Sequence, residues 1–134
     1  YCLDFGESCQ PLQVGMSDAC FIQGPDTPCP LTENRYLPLT HDLFDRDAII
    51  LKNTPSVVTL RSRKGRRGVT VSYPGMPYLG IWHKPKAAAP YVCLEPWVSL
   101  PGRQDLIEDF GEKPDLVRLA PGEVYENRWS IQVF

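Results

Sequence analysis

The chain has 134 residues, enough for one domain with a core of its own. A hydrophobic share of 43% argues against disorder, and a net charge of -2 gives no electrostatic reason to expect nucleic acid or an anionic membrane as partner. Fourteen prolines and ten glycines interrupt the chain too often for long helices, and no apolar run approaches the roughly 20 residues that span a bilayer.

Taken in order, Tyr1 to Phe5 alternates weakly and reads as a strand. Residues 6 to 36 are rich in Gly, Pro, Ser, Asp and Cys and read as connecting structure, with only Ala19 to Ile22 strand-like. A short helical turn is expected after Thr40, a candidate N-cap. Ala48 to Leu51 reads as a short apolar strand. Ser56 to Arg61 and Gly68 to Tyr73 are β-branched and alternate, and the Gly-containing loop between them marks a hairpin. Tyr78 to His83 and Tyr91 to Glu95 form two more β-like runs around a loop holding Lys84, Pro85, Lys86 and Pro90. Gln104 to Phe110 is a candidate helical turn in a second loop region, and Arg128 to Phe134 closes the chain as an alternating strand. Short strands with frequent turn signals give an all-β sandwich.

The cysteines are Cys2, Cys9, Cys20, Cys29 and Cys93, and no pair has Cys-x-x-Cys spacing. Zinc ribbons and thioredoxin-like motifs therefore lack support. No basic stretch leading into an apolar one opens the chain, so no signal peptide is visible, which says little if the chain continues upstream.

Within Tyr91 to Glu95, alternation puts Tyr91, Cys93 and Glu95 on one face and Val92 and Leu94 on the other. Pro96 biases Glu95 towards an extended backbone. A carboxylate at a constrained strand end among aromatics is a candidate acid or base. The plainer alternative is a solvated strand terminus with a salt-bridge partner.

The pattern Leu79-Gly80-Ile81-Trp82, a short Pro/Lys loop, then Ala89-Pro90-Tyr91-Val92-Cys93-Leu94-Glu95-Pro96-Trp97 resembles the aldose 1-epimerase (galactose mutarotase) superfamily, in particular its bacterial LacX-like branch. Leu37 to Leu51 and Leu119-Ala-Pro-Gly-Glu123 fit the same branch in the same order. The resemblance implies a sugar-binding β-sandwich in which the glutamate matched by Glu95 is the general base on the anomeric hydroxyl. It also implies a histidine acid from an earlier segment. The chain has only His41 and His83, and neither lies in a matching motif. Residues 1 to 134 are therefore expected to form a single domain that is the C-terminal part of a longer sandwich, with the N-terminal part of the same protein as its missing partner.

Mutarotation takes a proton from the anomeric hydroxyl and gives one to the ring oxygen, so one base and one acid suffice, with no metal and no redox cofactor. Asp47, just before a strand, suits hydrogen bonding to sugar hydroxyls; the alternatives are a turn residue there or Asp45 in the same role. Trp82 offers a flat apolar face to a pyranose, or else a core tryptophan. Trp97 and Trp129 carry the same two readings, with core the favoured one for Trp129. His83 follows Trp82 and so points to the opposite face, as a surface histidine in preference to a catalyst; His41 reads as a capping or turn residue. Arg61, Arg63, Lys64, Arg66 and Arg67 form a basic cluster that reads as a solvated hairpin tip, with a phosphate clamp for a sugar phosphate as the alternative. The expected function is aldose 1-epimerase-type interconversion of sugar anomers in the intact, cytoplasmic protein, with Glu95 as base and Asp47 and Trp82 holding the sugar. A non-catalytic carbohydrate-binding module is the rival, since fold does not fix function. A third reading is an interaction domain whose edge strands pair with a partner chain.

Overall fold

A computed structural model describes all of residues 1 to 134. Its strands are β1 (Cys2–Asp4), β2 (Leu12–Gln13), β3 (Thr27–Pro28), β4 (Tyr36–Pro38), β5 (Ile49–Lys52), β6 (Val57–Arg61), β7 (Gly68–Ser72), β8 (Tyr78–Trp82), β9 (Cys93–Trp97) and β10 (Ser130–Val133). The helical content is one 3₁₀ turn, Asp42–Phe44, with His41 at its N-cap position. The strands form two antiparallel sheets. Sheet 1 has the order β10-β7-β6-β1-β4 and sheet 2 the order β3-β2-β5-β8-β9. The all-β sandwich read from the sequence is the fold observed. No helix is long and apolar enough to cross a membrane.

The hairpin signal at residues 56 to 73 is realised as β6 and β7, with Val58 opposite Val71 and Leu60 opposite Val69. These residues face inward with Leu3 of β1 and meet Ile49, Leu51, Leu79 and Ile81 of sheet 2 in the main core. Each fully buried aliphatic side chain there contributes roughly 1.5–3 kcal/mol. The run Ile49-Ile50-Leu51 shows no alternation because both faces of β5 are covered. Ile49 and Leu51 enter the main core, while Ile50 joins Val14 and Tyr78 in a smaller cluster on the outer face of sheet 2. Met16, Ile22, Trp97 and Leu100 close over that cluster.

Several expectations are corrected. Ala19 to Ile22 is not a strand; Ile22 alone makes single bridges to Met16 and Arg103. Gln104 to Phe110 forms turns without a helix. The last long strand begins at Cys93 and runs through Pro96 to Trp97, so Glu95 lies inside it and not at its end. A proline fits there because β9 is the outermost strand of sheet 2, where a missing N–H need not break a ladder. His83 is buried, not a surface residue: the face opposite Trp82 is the inner face of the sandwich. Trp129 is 56% exposed and not a core residue; it stands at the rim of a cleft beside Leu94 and Pro96 of β9.

Candidate functional site

Because Leu79 and Ile81 enter the main core, the pleat sends Tyr78, Gly80 and Trp82 to the outer face of sheet 2. Leu94 packs against the core, so Cys93, Glu95 and Trp97 share that outer face. The antiparallel register sets Trp82 beside Cys93, Gly80 beside Glu95 and Tyr78 beside Trp97. Glu95 thus stands about 7 Å along the strand from the neighbour of Trp82.

Asp47 reaches the same face from the turn before β5. The Trp82 indole Nε1–H donates to its Oδ1 at 2.5 Å, and the Cys20 thiol lies 3.6 Å from Oδ2. The Asp47 backbone has φ +81°, held by an N–H bond to the Phe44 carbonyl at 3.0 Å. A left-handed backbone costs a non-glycine residue about 1 kcal/mol or more, and such strain clusters at functional sites. Asp45, the competing choice, ends the 3₁₀ turn and is exposed. Trp82 is half-buried, which removes its core reading.

Glu95 is half-buried, and its carboxylate takes part in none of the chain's ion pairs or side-chain hydrogen bonds. The salt-bridge alternative for it therefore fails. Its lone pairs are free to accept hydroxyl donors. Its charge, added to the larger effect of burial, raises the pKa of the adjacent Cys93 thiol. At the far end of the face, burial first and a hydrogen bond to Asp115 second push the Tyr78 phenol up to about 12, so it remains a proton donor.

Two residues of this face escaped sequence reasoning. A Cβ on Gly80 would stand 3.2 Å from Trp97 Cε2 and 3.3 Å from Glu95 Cβ. Glycine thus lets Trp97 and Glu95 close over β8, and a glycine inside a strand is itself the signal of such an approach. Cys20 had no signal, since its contact with Asp47 joins loops 27 residues apart.

The histidines lie elsewhere. His83 points to the inner side of sheet 2, where its Nε2 is 2.8 Å from the Ala89 carbonyl oxygen and its ring stacks on Tyr91 at 4.8 Å. His41 meets it edge-on at 5.0 Å, and both line an apolar cleft of about 400 Å³. Neither shares the face of Glu95. The basic cluster lies on the β6–β7 hairpin of sheet 1, with Arg61 paired to Asp4 at 3.0 Å, whereas the Asp47–Trp82–Glu95 face is the outer surface of sheet 2. No group of three His, Cys, Asp or Glu side chains converges as a metal centre would require.

No family model matches the chain. Protein LacX of Lactococcus lactis subsp. lactis, in its plasmid and chromosomal forms, is 32% identical over 106 residues, which is 78% of this chain and 35% of LacX. A galactose mutarotase related enzyme from Lactobacillus acidophilus superposes with a TM-score of 0.86 at 28% identity, over 99% of this chain and 44% of its own. A galactose mutarotase-like protein from Lactobacillus casei ATCC 334 superposes with a TM-score of 0.79 at 28% identity, over 98% and 45%. The chain therefore spans less than half the length of these relatives. By sequence and by fold together, it is a homologue of LacX and of the galactose mutarotase-related proteins, corresponding to the C-terminal part of that family.

Proposed function

We propose that this chain supplies the general base and part of the sugar site of an aldose 1-epimerase, which interconverts the anomers of a sugar by acid–base catalysis. One observation carries the reading. Asp47, Trp82 and Glu95, distant in sequence, stand on one face of sheet 2, with Trp82 bonded to Asp47 and Glu95 left without a partner. In this reading Glu95 takes the proton of the anomeric hydroxyl. Asp47 accepts hydrogen bonds from ring hydroxyls, and the half-exposed indole of Trp82 lies against the C–H face of the pyranose. Opening the ring also needs a proton donor at the ring oxygen. His41 and His83 are on the wrong side of sheet 2 for that, so the acid comes from polypeptide outside this chain. The relatives' additional length supports that assignment. The same reading places the protein in the cytoplasm, with its five cysteines kept as thiols.

The absence of a histidine from the face favours one rival, a carbohydrate-binding module without catalysis. Polarimetry of freshly dissolved glucose or galactose separates the two. The intact protein should accelerate mutarotation, and this chain alone should not. Sugar binding by the intact protein without acceleration would leave the binding module standing. Robust acceleration by this chain alone would sink the assignment of the acid to another segment.

A further inference from the structure

Residues 15 to 23 fold into a small hairpin whose tip reaches Asp47. Met16 bridges Ile22, and the Gln23 N–H donates to the Gly15 carbonyl at 2.9 Å. A Cβ on Gly15 would stand 2.3 Å from the Gln23 carbonyl oxygen, so glycine is what lets the two arms close. The Cys20 N–H donates to the Ser17 carbonyl at 2.9 Å and the Ser17 N–H to the Phe21 carbonyl at 2.8 Å, which makes Asp18-Ala19-Cys20 a three-residue hairpin loop. The last residue of such a loop is left-handed, a place that suits glycine. Cys20 holds it with φ +62°. The hairpin is also anchored from outside. The Ser17 hydroxyl donates to Gln104 Oε1 at 2.9 Å, the Ile22 N–H to the Gly102 carbonyl at 2.9 Å and the Gln104 N–H to the Ile22 carbonyl at 2.8 Å. An anchored tip thus carries a strained cysteine to a strained aspartate, with Cys20 Sγ 3.6 Å from Asp47 Oδ2. Strain of this kind persists only where the surroundings enforce it, and it clusters at functional sites. Glycine would close the turn more easily, so the turn alone does not account for the cysteine.

We infer that Cys20 is a positioning residue for Asp47: its thiol fixes the plane of the carboxylate so that Asp47 receives two adjacent hydroxyls of the sugar. The Trp82 indole donates to Oδ1 and the Cys20 thiol to Oδ2. Each carboxylate oxygen has room for about two donors, so a place remains on each, and the two places lie side by side. Rotation about the Cβ–Cγ bond of an aspartate is otherwise soft. One donor leaves the carboxylate free to turn, whereas donors on both oxygens hold it. Partial desolvation first and the Asp47 charge second raise the pKa of the Cys20 thiol, which keeps it a proton donor at neutral pH. The ligand class is a sugar that presents two neighbouring hydroxyls to this end of the face. This rests on the proposed function, which supplies the sugar; the contact between Cys20 and Asp47 does not depend on it.

The test compares Cys20→Gly with Cys20→Ser in the intact protein. Glycine relieves the left-handed backbone, so the melting temperature should hold or rise. KM should nonetheless rise about three- to tenfold, as for the loss of one weak hydrogen bond, with kcat within about twofold of the parent. Serine puts an O–H donor in place of the S–H and should bring KM back to within about twofold. Asp18→Ala, at the same tip, should leave both constants unchanged. A glycine variant whose KM matches that of Asp18→Ala, or a serine variant no better than glycine, would overturn the inference. A second readout is independent of turnover. The NMR signal of the Trp82 indole N–H, in the sugar-free protein, reports the carboxylate that accepts from it. That signal should shift in Cys20→Gly and hold in Cys20→Ser. An unmoved signal in Cys20→Gly would overturn the inference even in an active mutarotase. A parent protein that accelerates no sugar, with the signal shifting as expected, would count against the proposed function and for the positioning of Asp47 by Cys20.

Discussion

Asp4 and Glu95 both project from the outer face of a sheet, but the fold surrounds them differently. Asp4 is 4% exposed. Arg35 donates to both of its oxygens at 2.6 and 3.0 Å, Arg61 donates at 3.0 Å, and the Gly6 N–H completes the shell at 2.9 Å. A buried charge is tolerated only when paired and hydrogen-bonded, so this shell follows from folding alone. It ties β1 to the turn before β4 and to β6. Glu95 sits in an ordered strand among Gly80, Cys93 and Trp97 and has no such shell. The first carboxylate is spent on structure. The second is held in place but left free to meet something else, which is what a general base requires.

The contrast breaks most sharply on substitution. Glu95→Gln in the intact protein keeps shape and removes proton acceptance. kcat should fall about 10²- to 10⁴-fold with little change in KM, because the lost interaction acts in the transition state. Stability should hold, since no partner is orphaned. Turnover within a factor of about three of the parent, too small for a lost general base, would remove Glu95 from the mechanism.

Asp4→Asn should do the reverse. It leaves two guanidinium groups facing a neutral amide, and breaking such a buried network costs about 2–3 kcal/mol. Urea denaturation should show that loss while activity per folded molecule stays the same. A loss below about 0.5 kcal/mol, the range of ordinary surface changes, would mean that the shell is decorative.

The same shell sets a pH dependence. The Arg35 hydrogen bonds, chiefly, hold the Asp4 carboxyl down at about 2, from an ordinary value of 3.8, against the opposing effect of burial. A carboxyl whose pKa is lower folded than unfolded stabilises the fold fully above its unfolded value. That stability is lost as pH falls through 3.8 towards 2. The loss should reach about 2 kcal/mol. Urea midpoints between pH 6 and pH 2.5 should decline through that window, and Asp4→Asn should remove this part of the decline. An unchanged slope in the variant would show that other carboxylates govern acid unfolding.

How much of this was legible beforehand follows from range of interaction. The β6–β7 hairpin was readable because its alternation and its turn lie within a few residues of each other. Glu95, Asp47 and Trp82 were nameable from a motif resemblance, and strand alternation fixed the relative faces of Trp82 and His83. Alternation could not say which of those faces was inward, so His83 was misread as a surface group. Trp129 was misread for the converse reason: a tryptophan on an alternating strand signals burial only where another sheet covers it. The end of β9 was misplaced because Pro96 reads as a terminator unless the strand is known to be an edge. The shell of Asp4 gave no sequence signal, since Arg35 comes from the turn before β4 and Arg61 from the end of β6, far from Asp4 along the chain.

The finest test of the comparison is Asp47, which combines the Trp82 contact at one carboxylate oxygen with a second oxygen that accepts only from the Cys20 thiol. Its φ of +81° strains an aspartate, and glycine would relieve that strain at no steric cost. Asp47→Gly also loses the Trp82 hydrogen bond, and glycine frees the unfolded chain by about 0.4–1 kcal/mol. These effects oppose one another, so the net change in stability should stay within about 1 kcal/mol. Asp47→Asn keeps an acceptor for the indole and tolerates the left-handed backbone, so it should be closer still to the parent. Sugar affinity of the intact protein, followed by the fluorescence of Trp82, should separate the roles that stability does not. If Asp47 holds ring hydroxyls, glycine should weaken binding about tenfold or more and asparagine less, since a charged acceptor makes the stronger bond. If glycine instead leaves affinity intact and lowers stability by more than about 2 kcal/mol, beyond the loss of one hydrogen bond, then Asp47 belongs with Asp4 as a structural carboxylate. Glu95 would then be the sole free acid of the face.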